Sequence, residues 1–250
     1  MSRPTITCFD PSFRFTAGVR FVHDGTTWIP ANWSIKTTVG IPAKERRVYA
    51  VTDDVRRLRE LADWLKLEIA GSQMVVIEQV VGSGKGKAPV TLAYVTGVFA
   101  AMEVMFPEIP FVWIPQNLSK KAVMGRQKGV GKDEVVEWAR AKYPALYRDF
   151  MAAYRPKTTA KKAQVPTKDW TDQFEHVADA VMVFHAAHIT AEFKMLERLA
   201  NEAEGKQHDQ VRRTRRRPIG HDNHSGGDAG GSAAGKRSGF IRRLGGQRQQ

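Results

Sequence analysis

Residues 74–81 read Met-Val-Val-Ile-Glu-Gln-Val-Val. The run is almost continuously apolar and β-branched, and Gly71-Ser72 and Gly82 bound it. That pattern predicts a central strand covered on both faces. Glu78 stands inside it. A carboxylate in a buried strand carries a large desolvation cost unless it is paired or binds a metal. Glu78 is therefore either one half of an ion pair with an arginine of a neighbouring helix, or a ligand.

Working outward, three strands are expected before this run: Thr5–Asp10, Phe13–Val22 and Thr27–Lys36. Asp10-Pro11-Ser12 and Asp24-Gly25 separate them, so they read as an antiparallel meander. Val48, Val51, Val55, Leu58, Leu61, Ala62, Leu65 and Ile69 recur at three- and four-residue steps, which predicts a long helix closed by Gly71. After the run come a flexible loop over 82–87 (GSGKGK), a helix from Pro89 to Met105 and a strand from Pro110 to Pro115. Residues 116–131 are polar, basic and Gly-rich, Lys132–Lys142 reads as a helix, and 155–168 reads as a basic connector. A last long helix is expected from Asp169 to about Glu204. Three antiparallel strands followed by β-α-β units give an α/β fold, a mixed central sheet flanked by helices. This is the element order of the RNase H-like fold.

The 250 residues hold 39 Lys+Arg against 26 Asp+Glu, a net charge of +13. The excess is uneven: residues 1–118 carry +2, 119–168 carry +9, 169–205 carry −6 and 206–250 carry +8. Two separate basic segments suggest a polyanionic partner, against the plainer reading of a solvated surface and a solubilising tail. The division expected is a folded domain over 1–205 and a disordered basic Gly/Arg-rich tail over 206–250. One cysteine, Cys8, excludes an internal disulfide framework and a cysteine-based zinc site. The amino end lacks the pattern of a secretory signal. Ala88–Phe106, the most membrane-like stretch, contains Thr91, Thr96 and Glu103 and reads as a buried helix; no membrane partner is expected.

Phosphodiester hydrolysis by two metals needs several carboxylates at one spot, around Mg²⁺ ions about 3.5–4 Å apart. Asp10 ends an apolar strand and is either a turn residue before Pro11 or a ligand. Glu78 is the second candidate. His176 and Asp179, about 60° apart on one helix, are the third and fourth. Alone, His176 reads more simply as a hydrogen-bonded structural histidine. His185 lies about 180° from His176 on an ideal helix, which argues against a zinc site from one helix. Gly86-Lys87 is followed by Ala88, and Val81 stands where a phosphate-binding P-loop needs Gly, so no nucleotide cofactor is expected.

Together these segments resemble the RuvC family of Holliday junction resolvases, especially its phage-encoded branch. FDPS at 9–12, with Thr16 and Gly18 after it, looks like the family's first-strand motif. VIEQV at 76–80 is similar to its second acidic motif. Lys120-Lys121 through Gly125, Gly129 and Gly131 to Lys132 looks like its basic, Gly-rich loop. HVADAV at 176–181 resembles its carboxy-terminal motif. The resemblance covers about residues 4–200.

The resemblance implies a Mg²⁺-dependent endonuclease, with Mn²⁺ as a possible substitute and two ions per site. It implies that Asp10, Glu78, His176 and Asp179 bind metal, His176 taking a position where many relatives have Asp. One of Lys120 and Lys121, with Lys132, would match the family's two functional lysines; the residues leave the first pair open, and Lys121 is carried with Lys132 as catalytic. Lys85, Lys87, Lys120, Lys121, Lys128 and Lys132 are the expected DNA contacts. The expected partner is branched DNA, four-way junctions above all, cut symmetrically by a homodimer to leave 5′-phosphate and 3′-hydroxyl ends. The helix at 89–105 is a candidate dimer surface, unless it packs only on its own sheet. Relatives often place a base-wedging aromatic three residues after the second acid; here it is Val81. A nuclease of broader fork and flap specificity, or a non-catalytic junction-binding protein, therefore remains an alternative. A phage-encoded resolvase would act in the cytoplasm of a bacterial host.

Overall fold

A computed structural model describes residues 3–42, 44–45, 47, 49–79, 87–153 and 168–202, with backbone alone at 87–88 and 168–172. All of them belong to one unit, Met1–Gln210. The expected tail, 206–250, the basic connector apart from Lys168, and Lys85 and Val81 lie outside the described residues.

Five strands form one sheet: β1 (Thr5–Asp10), β2 (Phe15–His23), β3 (Trp28–Thr37), β4 (Met74–Gln79) and β5 (Phe111–Pro115). Their spatial order is β3-β2-β1-β4-β5. β1 runs antiparallel to β2 and parallel to β4, and β5 is parallel to β4. The apolar run at 74–79 therefore sits between two parallel neighbours, which is why it shows no polar alternation.

Side-chain parity divides the sheet into two faces. Ile6, Cys8, Met74 and Val76 pack on one face against α4 (Lys132–Lys142), α5 (Pro144–Ala153) and α6 (Lys168–Ala187). Phe9, Val75 and Ile77 pack on the other against α1 (Ala50–Ile69) and α2 (Lys87–Met105). In α1 only the carboxyl half of the expected stripe is buried: Leu61, Leu65 and Ile69 are covered, whereas Val51 and Val55 are exposed. Gly71, at φ +79°, turns the chain out of α1 into β4, a conformation a Cβ disfavours. Gly18 pairs with Phe9, and a Cβ there would stand 2.9 Å from the Phe9 ring. Glycine lets that ring lie against β2.

Three expectations differ from the structure. Residues 116–131 contain a helix, α3 (Gln116–Met124), because Ser119 buries and Val123 and Met124 pack on the core. A further helix, α5, follows α4. Pro144 opens it, a position where the missing N–H costs nothing, and Leu146 and Phe150 anchor it. The last helix is not continuous to 204. It stops at Ala187, and a second helical stretch covers 191–202. Thr190 makes the break: its hydroxyl donates to the Ala187 carbonyl at 2.8 Å and accepts the Phe193 N–H at 3.2 Å.

Candidate metal centre

The parallel pairing of β1 with β4 puts Phe9 beside Ile77. One step further along each strand come Asp10 and Glu78, at neighbouring carboxyl ends. Both share the parity of Ile6, Cys8, Met74 and Val76, so both face α6. Asp179 meets them from α6. Ligand-capable oxygens of Asp10, Glu78 and Asp179 all lie within 4.8 Å of one another. Asp10 is 5% and Glu78 2% exposed.

This is an electrostatically strained arrangement. Burial, then the carboxylates of Asp10 and Asp179, push the Glu78 pKa up to about 10. Burial, then Asp10 and Glu175, raise that of Asp179 well above the carboxylate range. Oε1 of Glu78 is buried and accepts no hydrogen bond among the described residues. The arginines of α1 do not relieve it. Arg56 pairs with Asp53 and Glu60, and Arg57 donates to the carbonyls of Phe13 and Thr38. Among the described residues no ion pair joins Glu78 to an arginine of α1. Three crowded carboxylates with an orphaned buried oxygen are an all-oxygen donor set of the kind a hard divalent cation takes.

His176 stands beside this cluster. Its Nδ1 lies 2.5 Å from Oδ2 of Asp10 and donates to the carboxylate. Burial pushes the imidazole pKa down, but the bond to Asp10 and the charges of Asp10, Asp179 and Glu175 outweigh it, and the net shift is upward. The Phe15 ring packs on the imidazole with centroids 5.9 Å apart, and the exposed Arg14 guanidinium lies 4.8 Å over that ring. The turn that presents these residues is fixed by Thr16, whose hydroxyl donates to the Ser12 carbonyl at 2.6 Å.

The expected lysines separate. Lys120, half-buried on α3, is the lysine whose charge opposes the upward shifts of Glu78 and Asp179. Lys121 and Lys128 are exposed. Lys132, at the start of α4, reaches Glu175, with Nζ 2.7 Å from Oε1 and 2.8 Å from Oε2. Lys85 and the side chain of Lys87 lie outside the described residues. Two participants escaped the sequence reading. Glu175 was signalled only by lying beside His176, and Phe15 only by its nearness to Asp10.

His185 and His188 form a separate, half-buried group. The Tyr143 hydroxyl and His185 Nε2 are hydrogen-bonded at 2.9 Å, and the His185 ring stacks on His188.

The chain has the RNase H-like fold, shared with a solved Holliday junction resolvase, with a carboxylate cluster where β1 and β4 end. Among solved structures it is similar to the yeast mitochondrial Holliday junction resolvase, at 9% identity over 83% of this chain and 86% of that one, TM-score 0.50. It is also similar to Thermus thermophilus RuvC in complex with Holliday junction substrate, at 14% identity over 76% of this chain and 96% of that one, TM-score 0.49. No protein-family model and no curated protein matches the sequence.

Proposed function

We propose that the chain is a Mg²⁺-dependent, structure-selective endonuclease that resolves four-way DNA junctions by paired, symmetric phosphodiester hydrolysis. The observation that carries this reading is the convergence of Asp10, Glu78 and Asp179 within 4.8 Å on an RNase H-like sheet, with Glu78 Oε1 left unpartnered.

Asp10, Glu78 and Asp179 would hold the metal, with His176 completing the set or orienting Asp10. Bound there, Mg²⁺, with Mn²⁺ as a substitute and two ions as the working number, supplies a Lewis acid for the phosphate and a more acidic water. The remaining work falls to the chain. Glu78 and Asp179 must give up the protons that burial favours. Lys120, half-buried beside the carboxylates, is placed to offset charge developing on a phosphate, while Lys121 and Lys128 face solvent and suit the flanking backbone. The products are expected to carry 5′-phosphate and 3′-hydroxyl ends.

Symmetric cutting requires two sites, and a homodimer through α2 supplies them. Val95, Phe99 and Met102 bury one face of that helix against its own sheet. The opposite face bears Val90, Ala93, Gly97, Ala100 and Val104, all exposed, with Val104 at 80%. An apolar face so exposed suits a second copy. The residues over 206–250 are read as a basic tether separate from the domain over 1–205.

The test is a cleavage panel of four-way junction, Y-fork and linear duplex with Mg²⁺. Wild-type protein should nick the junction in opposite strands. Asp10→Asn and Glu78→Gln should abolish cleavage while junction binding survives. Cleavage by either variant at the wild-type rate would overturn the site. Equal cutting of fork and junction would overturn the junction selectivity.

A further inference from the structure

Glu175 precedes His176 on α6 and is 12% exposed at its side chain, whereas its partner Lys132 is 78% exposed. A half-buried lysine stem would need no carboxylate, but an exposed one is a flexible four-carbon arm whose ammonium samples many positions. Both carboxylate oxygens of Glu175 meet the Lys132 Nζ, at 2.7 and 2.8 Å. The contact joins the first residue of α4 to the helix that carries Asp179 and His176. Arg126, in the basic turn before α4, pairs with Glu134 in the first turn of α4.

The energetics favour a role beyond packing. A buried carboxylate beside His176 and near Asp179 adds negative charge to a crowded site, as its effect on Asp179 shows. A glutamine would fill the same volume without that repulsion. The acid is explained if the lysine must be held, because a charge-assisted bond fixes an ammonium more firmly than a neutral amide does.

We infer that Glu175 is a positioning residue: it holds the Lys132 ammonium at the rim of the carboxylate cluster, where the phosphate of a bound junction meets a cation already in place. The inference rests on the nuclease reading above. A pre-oriented charge acts on the reaction step more than on substrate capture.

The test is a double-mutant cycle of Glu175→Gln and Lys132→Ala, read as kcat and KM on a four-way junction, with junction affinity in Ca²⁺ and melting temperature alongside. Glu175→Gln should lower kcat at least about tenfold, with KM and Ca²⁺-state affinity within about threefold. In the Lys132→Ala background the same substitution should change kcat less than about twofold, because the group it positions is gone. If Glu175→Gln does not fold, Glu175→Asp, which withdraws the carboxylate by one methylene, is read in the same cycle. Wild-type kcat in the single variant, or a full additional loss in the Lys132→Ala background, overturns the inference and leaves the nuclease reading intact. Failure of wild-type protein to cut the junction at all overturns both.

Discussion

His176 on α6 and Asp10 at the end of β1 are joined by a hydrogen bond, with Nδ1 2.5 Å from Oδ2 across 166 residues of chain. The hydrogen bond and surrounding carboxylates raise the histidine pKa in spite of burial. An imidazolium cannot ligate a cation, so a metal that recruits His176 must displace the Nε2 proton, while Nδ1 goes on donating to Asp10. Mg²⁺ affinity should therefore climb with pH through the raised His176 pKa. Calorimetric titrations at pH 6, 7 and 8 should show the climb with proton release, and His176→Asp should remove the part that His176 contributes while leaving the part due to Glu78 and Asp179.

Glu78 makes the metal-free protein sensitive to base. Its folded pKa of about 10 exceeds the ordinary 4.5. Stability from this group is complete below pH 4.5 and is lost as pH rises through the folded pKa. Between pH 4.5 and 7 the loss is on the order of 3 kcal/mol for such a shift. Melting of the metal-free chain should fall across this range, Glu78→Gln should reduce the slope and leave the part due to Asp179, and Mg²⁺ should raise the wild-type Tm more at pH 8 than at pH 6.

His185 behaves in the opposite sense. Burial, then His188 and Lys142, lower its pKa to about 4. The neutral ring contributes stability above pH 6.5 that is lost as pH falls toward 4. Tyr143→Phe would leave the His185 Nε2 without its hydrogen-bond partner and should cost about 1–2 kcal/mol at pH 7. Urea titration checks both, and junction cleavage at neutral pH should be unchanged.

The outer face of α2 should govern assembly. Gly97 has open space around the position of a Cβ, so Gly97→Lys fits the single chain. With Val104→Lys it should weaken self-association at least about tenfold and leave Tm at low concentration unchanged. Sedimentation velocity at micromolar concentration reads the result. A wild-type chain that sediments as a monomer would sink the dimer.

Removing residues 206–250 should weaken junction binding mainly at low salt, because the arginines at 212, 213, 215, 216 and 217 can supply only nonspecific phosphate contacts. Binding isotherms at low and high salt, with single-turnover cleavage, separate tether from chemistry. Unchanged low-salt affinity would reduce the segment to a solubilising tail.

Most of the sheet was legible in the sequence because its signals are local. MVVIEQ announces a covered strand, and Asp-Pro-Ser and Asp-Gly mark the turns of the meander. The convergence of Asp10 with Glu78 was legible only through the fold, since strand parity needs the β1–β4 register to become a distance. The helices at 116–124 and 144–153 were missed where basic charge and glycines masked short apolar anchors such as Val123 and Phe150. The Lys132–Glu175 contact carries no local signal at all: 43 residues separate the pair, and only the packing of α4 on α6 brings them together.

The three carboxylates come from the first strand, the fourth strand and the last helix of the domain. No fragment that ends before α6 contains the site. A chain still emerging from the ribosome, or one clipped ahead of residue 168, carries DNA-attracting charge but no assembled centre. The order of the elements thus works as a timing device: the carboxylate cluster exists only once the last helix has joined the first and fourth strands.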